Sequence, residues 1–173
     1  MTSFAQNGRK ETPVPNINIR PATPIDASLI LKFVYELAKE EKAGHEVEAD
    51  SQQIIKTMFS DHSTCHAIIC EEGVIPIGFS VYFFNYSTWQ GKNGIYIEDL
   101  YILPEYRNNG AGKKILKYIC SLALEKDCGR VEWSVLNWNM PAIGFYDSLG
   151  AEPQKDWIRY RLSGYAINKT AQL

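Results

Sequence analysis

The segment Leu103-Pro104-Glu105-Tyr106-Arg107-Asn108-Asn109-Gly110-Ala111-Gly112-Lys113-Lys114 constrains this chain more than any other. It joins a strand-like apolar run, Ile95 to Leu103 closed by Pro104, to an amphipathic run over Gly110 to Lys126. That second run sets Ile115, Leu116, Ile119, Leu122 and Ala123 on one side of a helix. Glycines between a strand and a helix let the backbone come close to a ligand. The unpaired N–H groups of the helix's first turn, at the positive end of its dipole, then point outward. Such a turn suits a phosphate or pyrophosphate. A P-loop would need glycine where Arg107 stands and Ser or Thr where Lys114 stands; a dinucleotide fingerprint would need a third glycine where Ile115 stands. What remains is Arg107-x-x-Gly110-x-Gly112 behind Leu100-x-Ile102-x-Pro104.

The rest of the chain alternates between strand and helix patterns. Met1 to Asn16 is polar, with Pro13 and Pro15 and no periodicity, and is expected to be a flexible tail ahead of one domain over residues 17–173. Ile17 to Pro21 reads as a short strand. Thr23-Pro24-Ile25-Asp26 is a helix start, followed by Leu29, Ile30, Phe33, Val34 and Leu37 at helical spacing. Asp50-Ser51-Gln52-Gln53 opens a second helix with Ile54, Ile55, Met58 and Phe59 on its apolar face. Ala67 to Cys70 and Ile77 to Phe84, joined by a turn at Glu71-Glu72-Gly73, predict an antiparallel hairpin. Ser87 to Gly94 is a loop carrying Trp89. Val131 to Leu136 and Trp157 to Leu162 read as strands, with a helix over Pro141 to Ser148 stopped by Gly150 between them. This order predicts a single mixed α/β domain.

Composition excludes several classes. A net charge of -2 does not favour a nucleic-acid binder, and no apolar run reaches the length of a membrane span. No signal-peptide core precedes the domain, so a cytoplasmic protein is expected. The four cysteines do not define a disulfide framework. His62, Cys65, His66 and Cys70 lack any recognised zinc spacing, so no metal is expected.

Three segments in order resemble the GNAT superfamily of N-acetyltransferases: Tyr96-Ile97-Glu98-Asp99-Leu100-Tyr101-Ile102, the Arg107 to Gly112 loop, and Trp138-Asn139-Met140-Pro141-Ala142-Ile143-Gly144-Phe145-Tyr146. Ile19-Arg20-Pro21-Ala22-Thr23, Glu36-Leu37-Ala38-Lys39 and Trp89-x-Gly91-Lys92 are similar to its diamine and spermidine/spermine-type branch. The resemblance covers residues 17 to 165. It implies a central twisted mixed sheet of six to seven strands flanked by four helices, acetyl-coenzyme A as cosubstrate, and a homodimer, which we expect to be built on the C-terminal strands with Trp133, Trp157 and Tyr160. The implied reaction is acetyl transfer to a primary amine of a small molecule, a diamine, polyamine or lysine-like amine, by direct attack in a ternary complex.

The resemblance also implies site residues. Arg107, Asn108, Asn109, Gly110, Ala111, Gly112 and Lys113 would hold the pyrophosphate, largely through backbone N–H groups. Leu100, Tyr101 and Ile102 would hold the pantetheine arm and polarise the acetyl carbonyl, and Asn139 would meet the cosubstrate. Tyr146 would protonate the departing thiolate and Glu98 would accept the amine proton through water. Glu41, Trp89 and Glu98 would line the amine site. An alkylammonium with a pKa of about 10 is not a nucleophile at neutral pH, so a carboxylate near the amine has work to do. Strand alternation places Glu98 with Tyr96, Leu100 and Ile102, and Asp99 on the other face as a structural acceptor. Ser87 stands where spermidine/spermine-type members carry an acid, which argues against a long polyamine; Glu40, Glu41, Glu46 and Glu48 are further acidic candidates. Acetyl transfer to a peptide or protein amine, or a non-catalytic acyl-coenzyme A-binding module, would use the same fold.

Overall fold

The computed structural model describes residues 16–173. The tail expected over Met1 to Asn16 therefore lies outside the described residues, Asn16 excepted. The chain divides into two compact units, one running through Ser134 and one from Val135 to Leu173.

The first unit holds strands β1 (Ile17–Pro21), β2 (Cys65–Glu72), β3 (Ile75–Ser87), β4 (Lys92–Ile102) and β5 (Val131–Trp133), in spatial order β1-β2-β3-β4-β5. Pairs β1/β2, β2/β3 and β3/β4 are antiparallel and β4/β5 is parallel. The sheet is mixed, as expected, and the β2/β3 hairpin is present. It has five strands rather than six or seven, because Val131 onward pairs for three residues only and Trp157 to Leu162 forms no strand.

Helices α1 (Ala27–Glu40) and α2 (Ser51–Met58) cover one sheet face. Ile30 and Phe33 of α1 and Ile54 of α2 are buried with Ala67, Ile69, Phe79, Val81 and Tyr101, and the Phe33 and Phe79 rings stack at 5.6 Å. Burying one such ring contributes about 2–3 kcal/mol. The helix starts follow their sequence signals. The Asp26 carboxylate accepts from the Thr23 N–H at 2.8 Å, and Asp50 and Gln53 exchange backbone-to-side-chain bonds of 2.8 Å each. Helix α3 (Ala111–Glu125) buries Ile115, Leu116, Ile119 and Ala123 and contacts β1, β4 and β5; its Lys114 Nζ donates to the Ile17 carbonyl at 2.8 Å.

The second unit contains α4 (Met140–Asp147) and α5 (Tyr165–Thr170). The Asn139 side chain caps α4 by accepting from the Ala142 N–H at 3.3 Å, and Gly150 closes it with φ +80°. Helix α5 has no counterpart in the sequence-level pattern. Trp157 to Leu162 forms neither helix nor strand, with Trp157, Ile158 and Tyr160 exposed. Its aromatic and β-branched content is that of a strand, but a strand exists only where its N–H and C=O groups find a ladder.

Candidate active site

The site is built on the second half of β4. Tyr96 pairs with Phe83 and Ile97 with Tyr82, yet the next pair is Asp99 with Val81. Glu98 is the extra residue of a β-bulge. The alternation expected through Glu98 therefore fails. Tyr96 and Asp99 share a sheet face, that of Val81, Tyr101 and the α1/α2 core, while Glu98 is exposed at the bulge. Ser80, fully buried, donates its hydroxyl to the Asp99 backbone carbonyl at 2.7 Å and satisfies a group the bulge takes out of the ladder.

Beyond the bulge β4 loses its other neighbour. Strand β5 pairs with it only at Ile95, Tyr96 and Ile97, so from Glu98 to Ile102 the β5-side edge has no strand partner among the described residues. Leu100, Tyr101 and Ile102 lie on this splayed stretch, the last two with buried side chains. Gly78 of β3 sits opposite Ile102, where a Cβ would collide with the Tyr101 carbonyl oxygen, so glycine permits the close approach of the two strands.

Asp99 is not the structural hydrogen-bond acceptor its face suggested. No hydrogen-bond donor or cation meets its carboxylate among the described residues. Burial, then the charges of Glu98 and Glu41, push its carboxyl up to about 6. Glu41, exposed just past α1, is raised by partial desolvation and by Glu40. Glu98 and Asp99 thus put two neighbouring carboxyl groups at the bulge, and the charge of Glu41, just past α1, also acts on Asp99. Glu46 ends a 3-10 turn over Gly44–Glu46, and Glu48 lies in the loop after it. Trp89 is at the exposed tip of the β3/β4 hairpin.

The glycine loop follows directly. Pro104–Tyr106 makes one 3-10 turn, Asn108 and Gly110 adopt positive φ, and Gly110 is the N-cap of α3 at φ +91°. The Asn109 side chain accepts from the Ala111 N–H at 3.2 Å. A Cβ on Gly110 would meet no atom within 4 Å, so open space lies over the first turn of the helix. Gly112 and Lys113 complete that turn. The cradle fits a pyrophosphate: backbone approach at Gly110, N–H groups of the first turn and the helix dipole act at one place. Arg107 is different. Its guanidinium is held by Glu40 and the Ile102 carbonyl rather than left free beside the loop.

In the second unit, Asn139 caps α4 and Tyr146 lies on the same helix, half-buried against Phe145 with ring centroids 5.3 Å apart. Burial raises the Tyr146 hydroxyl above its ordinary value, so it keeps its proton at neutral pH. Among the described residues no group of three His, Cys, Asp or Glu side chains is placed to hold a metal ion, and no helix is long and apolar enough to cross a membrane. The sequence signals neither the burial of the Asp99 carboxyl nor the Ser80 hydroxyl bonded to the Asp99 carbonyl, and Glu40, an acidic candidate for the amine site, instead accepts from Arg107 and Tyr101.

In this chain a strand that splays at a bulge runs directly into a helix started by a glycine. The sequence model of the Acetyltransferase (GNAT) family matches residues 31–151. Thialysine N-epsilon-acetyltransferase of Mus musculus is 34% identical over 164 residues, 88% of this chain and 96% of that protein. Spermidine/spermine N(1)-acetyltransferase-like protein 1 of Homo sapiens is 29% identical over 166 residues, 90% of this chain and 24% of that protein. An integron cassette protein from the mobile metagenome of V. cholerae superposes with a TM-score of 0.76 at 25% identity, covering 91% of this chain and 98% of its own. The chain belongs to the GNAT acetyltransferase family. It is an acetyltransferase, and enzymes of this family draw their acetyl group from acetyl-coenzyme A.

Proposed function

We propose that this enzyme transfers the acetyl group of acetyl-coenzyme A to the terminal primary amine of a small molecule, with a short lysine-like amine or diamine as the substrate. The observation that supports this most is the pair of carboxyl groups at the β4 bulge, Glu98 and Asp99, with the charge of Glu41 acting on Asp99, immediately before the cosubstrate loop. The likeness to thialysine N-epsilon-acetyltransferase over nearly its whole length points to the same class, since thialysine is a lysine analogue with a terminal amine.

The assigned roles follow from chemistry. The bound thioester supplies an activated acetyl group. Backbone N–H groups from Asn109 to Lys113 hold its pyrophosphate, and the free edge of Leu100, Tyr101 and Ile102 holds the extended arm and orients the carbonyl. Asn139 adds a contact while capping α4. Glu98, at the bulge, takes the ammonium proton through water and so makes the nitrogen nucleophilic. Tyr146, protonated because burial raises it, donates to the leaving sulfur. Glu41 and Trp89 contact the amine's carbon chain and distal charge.

A second assignment of the base has its own observation. Asp99 lies beside Glu98 and titrates at about 6, closer to the working range of a general base than an ordinary carboxylate. Ser87, buried in the hairpin, supplies no charge for a long polyamine, which favours the shorter substrate.

We further propose a cytoplasmic homodimer in which exposed Trp157 and Tyr160 are covered by a second copy. A monomeric mass by light scattering at micromolar concentration contradicts that assembly. The substrate assignment is tested by coenzyme A release across lysine-like amines, diamines, long polyamines and amino-terminal peptides. The short amines are expected to give the highest kcat/KM. Peptides turning over faster would replace this reading with a protein acetyltransferase, and binding of acetyl-coenzyme A without any release would make the chain a non-catalytic module.

A further inference from the structure

Arg107 belongs to the loop motif assigned to the cosubstrate, yet its guanidinium is bonded to other parts of the protein. Its Nε donates to the Ile102 carbonyl at 2.8 Å, and its Nη2 donates to both carboxylate oxygens of Glu40, at 2.7 and 2.8 Å. The guanidinium carbon stands 5.4 Å from the centre of the Tyr101 ring. The Tyr101 hydroxyl donates to the same Glu40 oxygen at 3.3 Å, and burial together with the Glu40 charge pushes that hydroxyl up to about 12. Glu40 is the last residue of α1.

One carboxylate therefore gathers three parts of the cosubstrate site. Through Tyr101 it touches the splayed strand. Through Arg107 it reaches both the carbonyl at the end of β4 and the loop that leads to Gly110. The two charge-assisted bonds that the guanidinium donates from Nη2 to the Glu40 carboxylate are stronger than neutral ones. The cation over the Tyr101 ring adds attraction. With its carboxylate engaged by Arg107 and Tyr101, Glu40 is spoken for inside the protein and does not serve as a contact for a substrate ammonium.

We propose that Glu40 is a positioning residue that acts through Arg107: it holds the guanidinium against the Ile102 carbonyl and thereby sets the strand end and glycine loop in the geometry that receives acetyl-coenzyme A. Arg107 serves the cosubstrate by fixing the loop, and the phosphates are met by backbone N–H groups. The proposal rests on the assignment of this loop to acetyl-coenzyme A. It adds to that assignment a residue outside the family motif, contributed by α1.

A double-mutant cycle separates the two. Wild type, Glu40→Gln, Glu40→Asp, Arg107→Gln and the Glu40→Gln/Arg107→Gln double variant are compared for KM of acetyl-coenzyme A, for kcat, and for acetyl-coenzyme A binding by calorimetry. Both partners are about 40% exposed, at 40% and 39%, so the variants are expected to fold, which circular dichroism checks. Glu40→Gln is expected to raise the KM for acetyl-coenzyme A about 5- to 30-fold while kcat falls less than about threefold, the pattern of lost ground-state binding. Glu40→Asp should recover part of that loss. The double variant should be no worse than Arg107→Gln alone, because the two residues act as one unit.

Additive effects in the double variant overturn the proposal, because Glu40 then acts without Arg107. A Glu40→Gln variant that binds acetyl-coenzyme A as tightly as wild type, or more tightly because the freed guanidinium reaches phosphate, also overturns it. Wild-type protein that binds no acetyl-coenzyme A at all overturns the loop assignment itself, and is recognised before any variant is compared.

Discussion

The unit through Ser134 and the unit from Val135 to Leu173 differ in what holds them. In the first, Phe33, Phe79, Ile30, Ile69, Ile95 and Ile115 are buried to 1% exposure or less between the sheet and its helices. In the second no residue is buried, and Trp157, Ile158 and Tyr160 are 72%, 78% and 89% exposed. Both units carry residues assigned to chemistry, Glu98 in one and Tyr146 in the other. The contrast teaches that stability and chemistry are distributed differently along this chain. Core substitutions should act through folding, whereas substitutions in α4 should act through rate.

The largest effect should come from the core. Phe33→Ala removes a ring stacked on Phe79 and is expected to cost about 3–5 kcal/mol of unfolding free energy, read from chemical denaturation. A loss under about 1 kcal/mol would mean that the α1 side of the sheet is not packed as described. Next, Tyr146→Phe removes one hydroxyl from the unit without a buried core. It should lower kcat about a hundredfold or more while leaving stability and acetyl-coenzyme A affinity nearly unchanged. Equal losses in affinity and turnover would make Tyr146 a binding residue instead.

The bulge offers a smaller effect with a definite sign. Asp99 titrates higher in the folded protein than in the unfolded chain, at about 6 against 3.8. The folded state therefore holds the proton after the unfolded chain has lost it. Stability then falls as pH rises through that window. Asp99→Asn removes the cost and should stabilise the protein by about 1–3 kcal/mol at neutral pH and by almost nothing near pH 4. A gain of equal size at both pH values would assign it to packing rather than to charge.

The sequence made the first unit legible where structure is local. The Asp50/Gln53 box, the helix start at Thr23 to Asp26 and the spacing of Ile115, Leu116 and Ile119 all mark elements that are present. It also located the glycine loop, because a strand, two glycines and a helix start are contiguous signals. The bulge was not legible. Alternation assumes an unbroken ladder, and the extra residue at Glu98 is set by pairing with β3 and by the Ser80 hydroxyl, which bonds the Asp99 carbonyl nineteen positions along the chain. The Glu40–Arg107 pair spans 67 positions and leaves no trace in either local pattern. In the second unit, caps at Asn139 and Gly150 identified α4, but the strand propensity of Trp157 to Leu162 had no ladder to join. Propensity describes what a segment suits, and only partners decide whether it forms.

The central claim is that Glu98 at the bulge supplies a base for an amine substrate, and a pH–rate profile tests it most directly. Wild type, Glu98→Gln and Asp99→Asn are compared from neutral pH to about pH 9.5, just short of the ordinary amine pKa of about 10. The Glu98→Gln deficit in kcat/KM is expected to be largest at neutral pH and to shrink steadily as solvent deprotonates the amine, while Asp99→Asn shows a small deficit of constant size. A Glu98→Gln deficit that stays constant across the range, or a shrinking deficit that belongs to Asp99→Asn instead, would contradict the assignment of the base to Glu98.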